Sequence, residues 1–177
     1  MTDSLLQRFT ETIMPQYAIT AGHGLDIACG SGEGMVYLAE RGWNMTGVDR
    51  MSESLQKAHT LADTAGVKIS TINMDLEADD DPFSHFAQHS FDLITVSRYL
   101  HRPLFPQIKA LVKPNGIVLY QTFMLGCELT SIGRPRNPDF LLKPGELASH
   151  FTDAEILLDE ETTSNDGRPF ARFIARL

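Results

Sequence analysis

The sequence predicts an α/β fold built on a mostly parallel sheet with helices on both faces, and three observations carry that expectation. Short apolar, β-branched runs alternate with helical patterns at close intervals, the rhythm of parallel strands joined by crossover helices. A glycine turn, Gly30, Gly32 and Gly34, carries the first run straight into a helical pattern. Two further strand-like runs, Ala154 to Asp159 and Phe170 to Leu177, close the chain around Asn165-Asp-Gly167 turn chemistry. The 177 residues fit one domain on a scale of about 100 to 200 residues per domain, so residues 1–177 are read as a single unit.

Each element follows from its pattern. Leu5, Leu6, Phe9, Ile13 and Tyr17 recur at three- and four-residue steps and predict an N-terminal helix, ended or kinked by Pro15. Gly24 to Cys29 reads as a buried strand, and Glu33 to Arg41 as a helix closed by Gly42. Asn44 to Asp49 is the second strand. Ser52 to Ala65 is a helix capped by Ser52 and stopped by Gly66. Val67 to Ile72 reads as the third strand, and Phe91 to Ser97, after an acidic loop at Asp79 to Asp81, as the fourth. A helix opens at Pro103, where the missing N–H costs nothing, and ends before Pro114. Lys113 to Gly116 is a turn into a fifth strand, Ile117 to Phe123. Gly126 to Leu142, broken by Gly133, Pro135 and Pro138, is a loop insertion ahead of a short helix at Gly145 to Phe151. In the last strand Arg172 and Arg176 alternate with Phe173, Ala175 and Leu177, which predicts one wet face and one buried face.

Composition narrows the function. Hydrophobic residues are 42% and charged residues 21% of the chain, the balance of a globular protein rather than a disordered one. No run approaches the roughly 18 apolar residues of a membrane span, and the Met1-Thr-Asp-Ser start lacks the features of a secretory signal, so a cytoplasmic location is expected. A net charge of −8 opposes a nucleic-acid partner, because Lys and Arg on phosphates dominate that binding. Two cysteines, Cys29 and Cys127, are too few for a four-ligand zinc site, so no metal is expected.

The informative segment is Leu25-Asp-Ile-Ala-Cys-Gly-Ser-Gly-Glu-Gly34. Glycines there allow a sharp turn and close approach of a ligand, and Asp49 follows at about the 20-residue spacing where a carboxylate takes the hydroxyls of a ribose. The dinucleotide fingerprint fails, since Met35 stands where its last glycine belongs. Glu33, Asp26 and Asp49 at one mouth would repel a pyrophosphate and suit a positively charged nucleoside, which disfavours an NAD-dependent oxidoreductase. S-adenosylmethionine, with its sulfonium and ammonium groups, is such a nucleoside.

On this segment the chain resembles the class I S-adenosylmethionine-dependent methyltransferases, with Ala28 standing where glycine is commoner. The resemblance runs from about Gly24 to Leu177. It implies a Rossmann-like seven-stranded, mostly parallel sheet with an antiparallel last strand. It also implies that Asp49 holds the ribose, Arg50 lies against the adenosine, and Asp75-Leu76 contacts the adenine. Asp26, Ala28, Gly30 and Gly32 would line the methionine end, and Ser97 would offer backbone to its amino group. Within the family, Asn137 to Leu147 with Phe151 and Glu160-Glu161 resembles the small tellurite-resistance-type methyltransferases, which implies a small acceptor. A binding module without catalysis is the rival from another class, because no base is assured.

On the acceptor side, Ser97-Arg-Tyr-Leu-His-Arg102 leaves the fourth strand at the rim where ligands bind in open α/β sheets. Tyr99 and His101 can each position or deprotonate a substrate there, His101 because its ordinary pKa is about 6.5; equally, Tyr99 can pack and His101 can start the next helix. Arg134 and Arg136 can clamp an anionic acceptor or stand as solvated loop charges. Residues 1–20 and 124–142 are expected to form a lid.

Overall fold

The computed structural model describes residues 4–177, so the first three residues of the expected 1–20 lid lie outside the described part. Seven strands form one sheet in the order β3-β2-β1-β4-β5-β7-β6. They are β1 His23–Ile27, β2 Asn44–Asp49, β3 Ser70–Asn73, β4 Phe91–Ser97, β5 Val112–Phe123, β6 Glu155–Thr163 and β7 Pro169–Arg176. β1 through β5 pair in parallel, and β7 runs antiparallel to both β5 and β6. The predicted seven-stranded architecture is therefore present, with its antiparallel last strand.

The N-terminal helix is α1 Ser4–Arg8, a π-helical turn Phe9–Ile13, and α2 Met14–Gln16. Met14 N–H donates to the Phe9 carbonyl, and the segment ends one residue after Pro15. The remaining helices are α3 Glu33–Ala39, α4 Ser52–Ala65, α5 Phe105–Leu111 and α6 Glu146–His150.

Strand alternation sorts the apolar side chains into two cores. Leu93 of β4, Ile117 and Leu119 of β5 and Ile174 of β7 meet Leu5, Phe9 and Ile13 on one face. Ile94, Val96, Val118, Tyr120 and Phe173 face the other way, onto Phe105, Ile108 and Leu111 of α5. Strand order reverses at β1, which has β2 on one side and β4 on the other. Crevices at such switch points, beyond the carboxyl ends of the strands, are where open α/β sheets bind ligands.

Four expectations are corrected. The third strand spans Ser70–Asn73 rather than Val67 to Ile72. Met51, not Ser52, is the N-cap of α4 and makes no side-chain cap; the Asp49 carboxylate holds its N–H instead. The turn Lys113 to Gly116 is an irregularity inside β5, whose pairing with β4 jumps from Phe91↔Val112 to Leu93↔Ile117. The supposed wet face of β7 is covered, because Ile174 is fully buried under the N-terminal helix and Arg172 is half-buried.

Candidate active site

Between β1 and α3 the backbone enters the left-handed region at Ala28 (φ 55°), Gly30 (φ 55°) and Gly32 (φ 78°), which is why glycines crowd the segment. The two glycines serve different ends. A Cβ at Gly32 would stand 2.6 Å from the Ala58 Cβ of α4, so that glycine lets two helices meet. A Cβ at Gly30 would meet nothing within 4 Å, so its bare face is open to a ligand. Ala28 holds its left-handed backbone without glycine's freedom, at about 1–2 kcal/mol.

Two carboxylates organise the turn. Asp49, half-buried at the end of β2, accepts from Gly30 N–H and Met51 N–H, each at 2.9 Å, and so ties the glycine turn to the start of α4. Asn73, at the end of β3, donates to the carbonyls of Asp49 and Arg50 at 3.1 and 2.9 Å and fixes that strand end from the other side. Asp26 lies in register between Gly47 and Thr95; it is 8% exposed and accepts from the Thr95 hydroxyl at 2.9 Å. Burial pushes its carboxyl up to about 7, the Asp49 charge adds to the rise, and the Thr95 hydrogen bond opposes it. Glu33 is exposed on the first turn of α3.

A cleft of about 1080 Å³ opens beside this turn and is lined by Asp26, Ala28, Gly30, Gly32 and Ser97 among the predicted residues. Its remaining walls include Leu6 of α1, Gln121 and Arg172 of β5 and β7, and Ser164 to Asp166 of the hairpin turn. Asp49, Arg50, Asp75 and Leu76 are not in its lining. Asp75 is exposed and accepts from Glu77 N–H at 3.0 Å, while Leu76 is 5% exposed and packs in the main core.

Tyr99 and His101 also stand apart from the cleft lining. The Tyr99 hydroxyl donates to Glu77 at 3.0 Å, and burial together with Glu77 and Asp75 raises its pKa. His101 caps a short 3₁₀ turn, its carbonyl accepting from Leu104 N–H. Arg134 and Arg136 are exposed; Arg136 donates to its own loop at Gly133 and lines a separate cavity with Leu125, Glu128, Pro138 and Leu141. Of the two expected lid segments, the N-terminal one contributes Leu6 to the cleft and the 124–142 insertion contributes none of its lining; the hairpin turn at 164–166 takes that place. The insertion is instead held by Arg102, which donates to the carbonyls of Asp139 and Leu141 and pairs with Glu146.

Sequence reasoning passed over Thr95, Gln121, Arg172 and Asn73. Only a polar residue inside an otherwise apolar strand, as at Thr95 and Gln121, marks such positions in a sequence.

An open α/β sheet with a glycine turn at its switch point, an acidic residue ending the second strand and an antiparallel seventh strand defines a Rossmann-like nucleoside-binding domain. The chain belongs to the methyltransferase-domain family, whose pattern residues 25–116 match. It is 32% identical over 156 residues to a ubiquinone biosynthesis O-methyltransferase of Actinobacillus pleuropneumoniae, covering 77% of this chain and 66% of the relative. It is also 31% identical over 119 residues to an uncharacterized methyltransferase of Synechocystis, covering 63% and 52%. Four other ubiquinone biosynthesis O-methyltransferases are matched over only 41 to 63% of their length. In fold it resembles TehB from Haemophilus influenzae, at 23% identity, TM-score 0.72 and coverage of 94% of this chain and 61% of that one. It likewise resembles an S-adenosylmethionine-dependent methyltransferase from Clostridium acetobutylicum, at 14% identity, TM-score 0.74, and coverage of 100% and 92%.

The donor set fits S-adenosylmethionine. The open face of Gly30 leaves room for its backbone-side approach, and Asp26 and Glu33 in the lining of the cleft oppose phosphate and suit a sulfonium and an ammonium.

Proposed function

We propose that the protein is a cytoplasmic methyltransferase that moves the methyl group of S-adenosylmethionine to a small acceptor. The observation that carries this reading is the juncture of the glycine turn with the cleft: Gly30 and Asp26 lie in the same lining as Ser97, Gln121 and Arg172. Both cysteines are free, as suits a reducing compartment.

Asp49 would take the ribose hydroxyls on the lone pairs its two backbone donors leave free, and Arg50 and Asp75 would border the adenosine. Asp26, Ala28, Gly30 and Gly32 would line the methionine end, with the Ser97 backbone facing its amino group. S-adenosylmethionine supplies a methyl carbon on a cationic sulfur, which an acceptor lone pair takes from the side opposite the sulfur. The chain's own part is alignment and exclusion of water, the contributions that dominate when a good nucleophile needs only placement. Leu6 and the 164–166 turn close the acceptor end. The anionic character of the turn repels dinucleotide phosphates.

The test is calorimetric titration with S-adenosylhomocysteine, S-adenosylmethionine and NAD, followed by assay of S-adenosylhomocysteine release over an acceptor panel. Binding of both adenosyl ligands with turnover is expected. Binding of NAD alone would refute the reading, and adenosyl binding without turnover on any acceptor would favour a binding module.

A further inference from the structure

Two consecutive side chains at the end of β4 reach the same cleft, which a regular strand does not allow. Successive residues of a strand point to opposite faces, yet Ser97 and Arg98 are both exposed and both line the cleft. The backbone at Arg98 explains it: φ is 56°, a left-handed conformation uncommon in any residue with a side chain. The Arg98 N–H donates to the Gln121 carbonyl at 2.8 Å, which anchors this bend on β5. Such conformations persist where the surrounding structure imposes them, and they cluster at functional sites.

Both side chains arrive with donors to spare. Among the described residues the Arg98 guanidinium makes no ion pair and no side-chain hydrogen bond; its neighbour is the Phe123 ring, with the centroid 5.8 Å away. The Ser97 hydroxyl accepts from Gln121 Nε2 at 3.2 Å and so keeps its own hydrogen to donate. A guanidinium offers parallel N–H groups in the geometry of a carboxylate, and the hydroxyl beside it adds one more donor. The pair therefore forms an anion site at the exposed rim of the cleft.

The same lining offers no free base. It contains no histidine and no lysine. Burial pushes the Cys29 thiol up, so it holds its proton, and the Tyr37 hydroxyl is bonded to Thr10 at 2.9 Å. Arg168 and Ser164 hold Asp166 well below the usual carboxylate range. Asp26 is buried against Thr95 and, with Glu33, serves the cationic end of the cofactor in the reading above, while Glu40 stands at the opposite end of α3 from Glu33. An acceptor beside Arg98 must therefore bring a nucleophile already free of its proton. A carboxyl group, ionising at about 4, does so at neutral pH, whereas a phenol or an alkylammonium, ionising at about 10, does not.

We propose that Arg98 and Ser97 hold a small carboxylic acid and that the methyl group passes to its carboxylate oxygen, giving a methyl ester. A lone pair of that oxygen forms the new carbon–oxygen bond as the carbon–sulfur bond breaks, and the sulfur keeps the electron pair of the broken bond. The carboxylate and the sulfonium lose their charges together, leaving a neutral ester and a neutral thioether, and no proton moves. Arg98 then faces an ester without charge, which loosens its hold and favours release of the product. The proposal rests on the methyltransferase reading given above.

The probes are butyrate and benzoate, titrated calorimetrically into protein saturated with S-adenosylhomocysteine, beside butyramide and benzamide, which keep the shape and lose the charge. At least one carboxylate should bind at least about tenfold more tightly than its amide. Arg98→Gln should abolish that preference and Arg98→Lys restore part of it, since lysine keeps the charge without the fork, with S-adenosylhomocysteine affinity unchanged in both. The wild-type comparison decides alone should a variant fail to fold. Methyl-labelled S-adenosylmethionine is then supplied with the same carboxylates, catechol or butylamine; label on a carboxylate leaves as methanol in mild base, whereas an ether or an amine retains it. Transfer to a carboxylate, base-labile and reduced in Arg98→Gln, is expected. Equal or absent binding of carboxylates and amides overturns the proposal, as does a preference that survives Arg98→Gln. Transfer to neither carboxylate, or to catechol or butylamine alone, overturns the ester step and leaves the cofactor reading standing. Failure of wild type to bind S-adenosylhomocysteine at all removes the cofactor reading and this one with it.

Discussion

Replacing Asp26 by asparagine should stabilise the protein near neutral pH while weakening its hold on a cationic ligand. The ordinary carboxyl value of 3.8 is raised to about 7 in the fold, chiefly by burial. Between those two values the folded chain keeps a proton that the unfolded chain has released. A group whose folded pKa is raised contributes stability that is complete below the unfolded value and is lost as pH climbs through the folded one. At about 1.36 kcal/mol per pKa unit, the full loss is about 4 kcal/mol, of which about 2 kcal/mol falls between pH 5 and pH 7. For a chain of this length, where 1 kcal/mol moves Tm by roughly 2–4 °C, that is a decline of roughly 4–8 °C.

Asparagine keeps an oxygen to accept from Thr95 and has no charge to bury, so the variant lacks this decline. Other groups titrate in the same window: burial lowers the pKa of His23, and a lowered histidine gives stability present above about 6.5 and lost as pH falls. It acts in both proteins, so the difference between their melting temperatures isolates Asp26. That difference should be near zero at pH 4 and grow in favour of the variant up to pH 8. Affinity of wild type for S-adenosylmethionine should rise with pH through about 7 as the carboxylate forms, and that of the variant should be lower and flat. A melting difference that stays constant from pH 5 to pH 8 would refute the account of Asp26.

Four further outcomes are expected. Gly30→Ala should fold, losing about 1–2 kcal/mol for its left-handed backbone, yet bind S-adenosylhomocysteine at least about tenfold more weakly by calorimetry; wild-type affinity would make Gly30 purely structural. Gly32→Ala should cost more, because its Cβ overlaps Ala58 at 2.6 Å and overpacking adds about 1–3 kcal/mol; denaturant unfolding should show partial recovery on adding Ala58→Gly. Asp49→Ala should lower both cofactor affinity and Tm, since it frees two backbone N–H groups as well as the ribose contact; unchanged values in either would separate the two roles. Ala28→Gly should raise stability by about 0.5–1 kcal/mol, the left-handed strain relieved less the entropy that glycine loses on folding, and thermal melts showing a loss would contradict the strain at φ 55°.

What was legible in the sequence was what local chemistry dictates. Ser52–Ala65 ends where predicted because Gly66 at φ 72° stops it, and Asn44–Asp49 has the predicted bounds because it lies between the Gly42 turn and Asp49. The glycine turn and its partner Asp49 were legible for the same reason, since a left-handed backbone restricts the residues that can occupy it. Ser70–Asn73 was misplaced because neither of its faces is fully buried and its pattern is correspondingly weak.

The polar row across β4, β5, β7 and β6 was not legible, because it is a product of register. Ser97, Gln121, Arg172 and Glu160 are neighbours only because β7 returns antiparallel between β5 and β6, and a one-residue slip of β7 would send Arg172 to the other face. In the sequence Arg172 reads as half of a wet stripe with Arg176. In the fold the stripe divides: Arg176 pairs with Glu155 at 2.7 Å, while Arg8 of the N-terminal helix occupies Glu160. Breaking that last contact therefore tests the row from a distance. Arg8→Gln should free Glu160 to reach Arg172 across the strand pair. Because the Arg8–Glu160 pair is partly exposed, such a contact contributes about 0–1 kcal/mol, and with Arg172 as a replacement partner the fall in Tm should be no more than about 2–4 °C. Thermal melts showing a clearly larger loss for Arg8→Gln would mean that Glu160 finds no new partner across the strand pair.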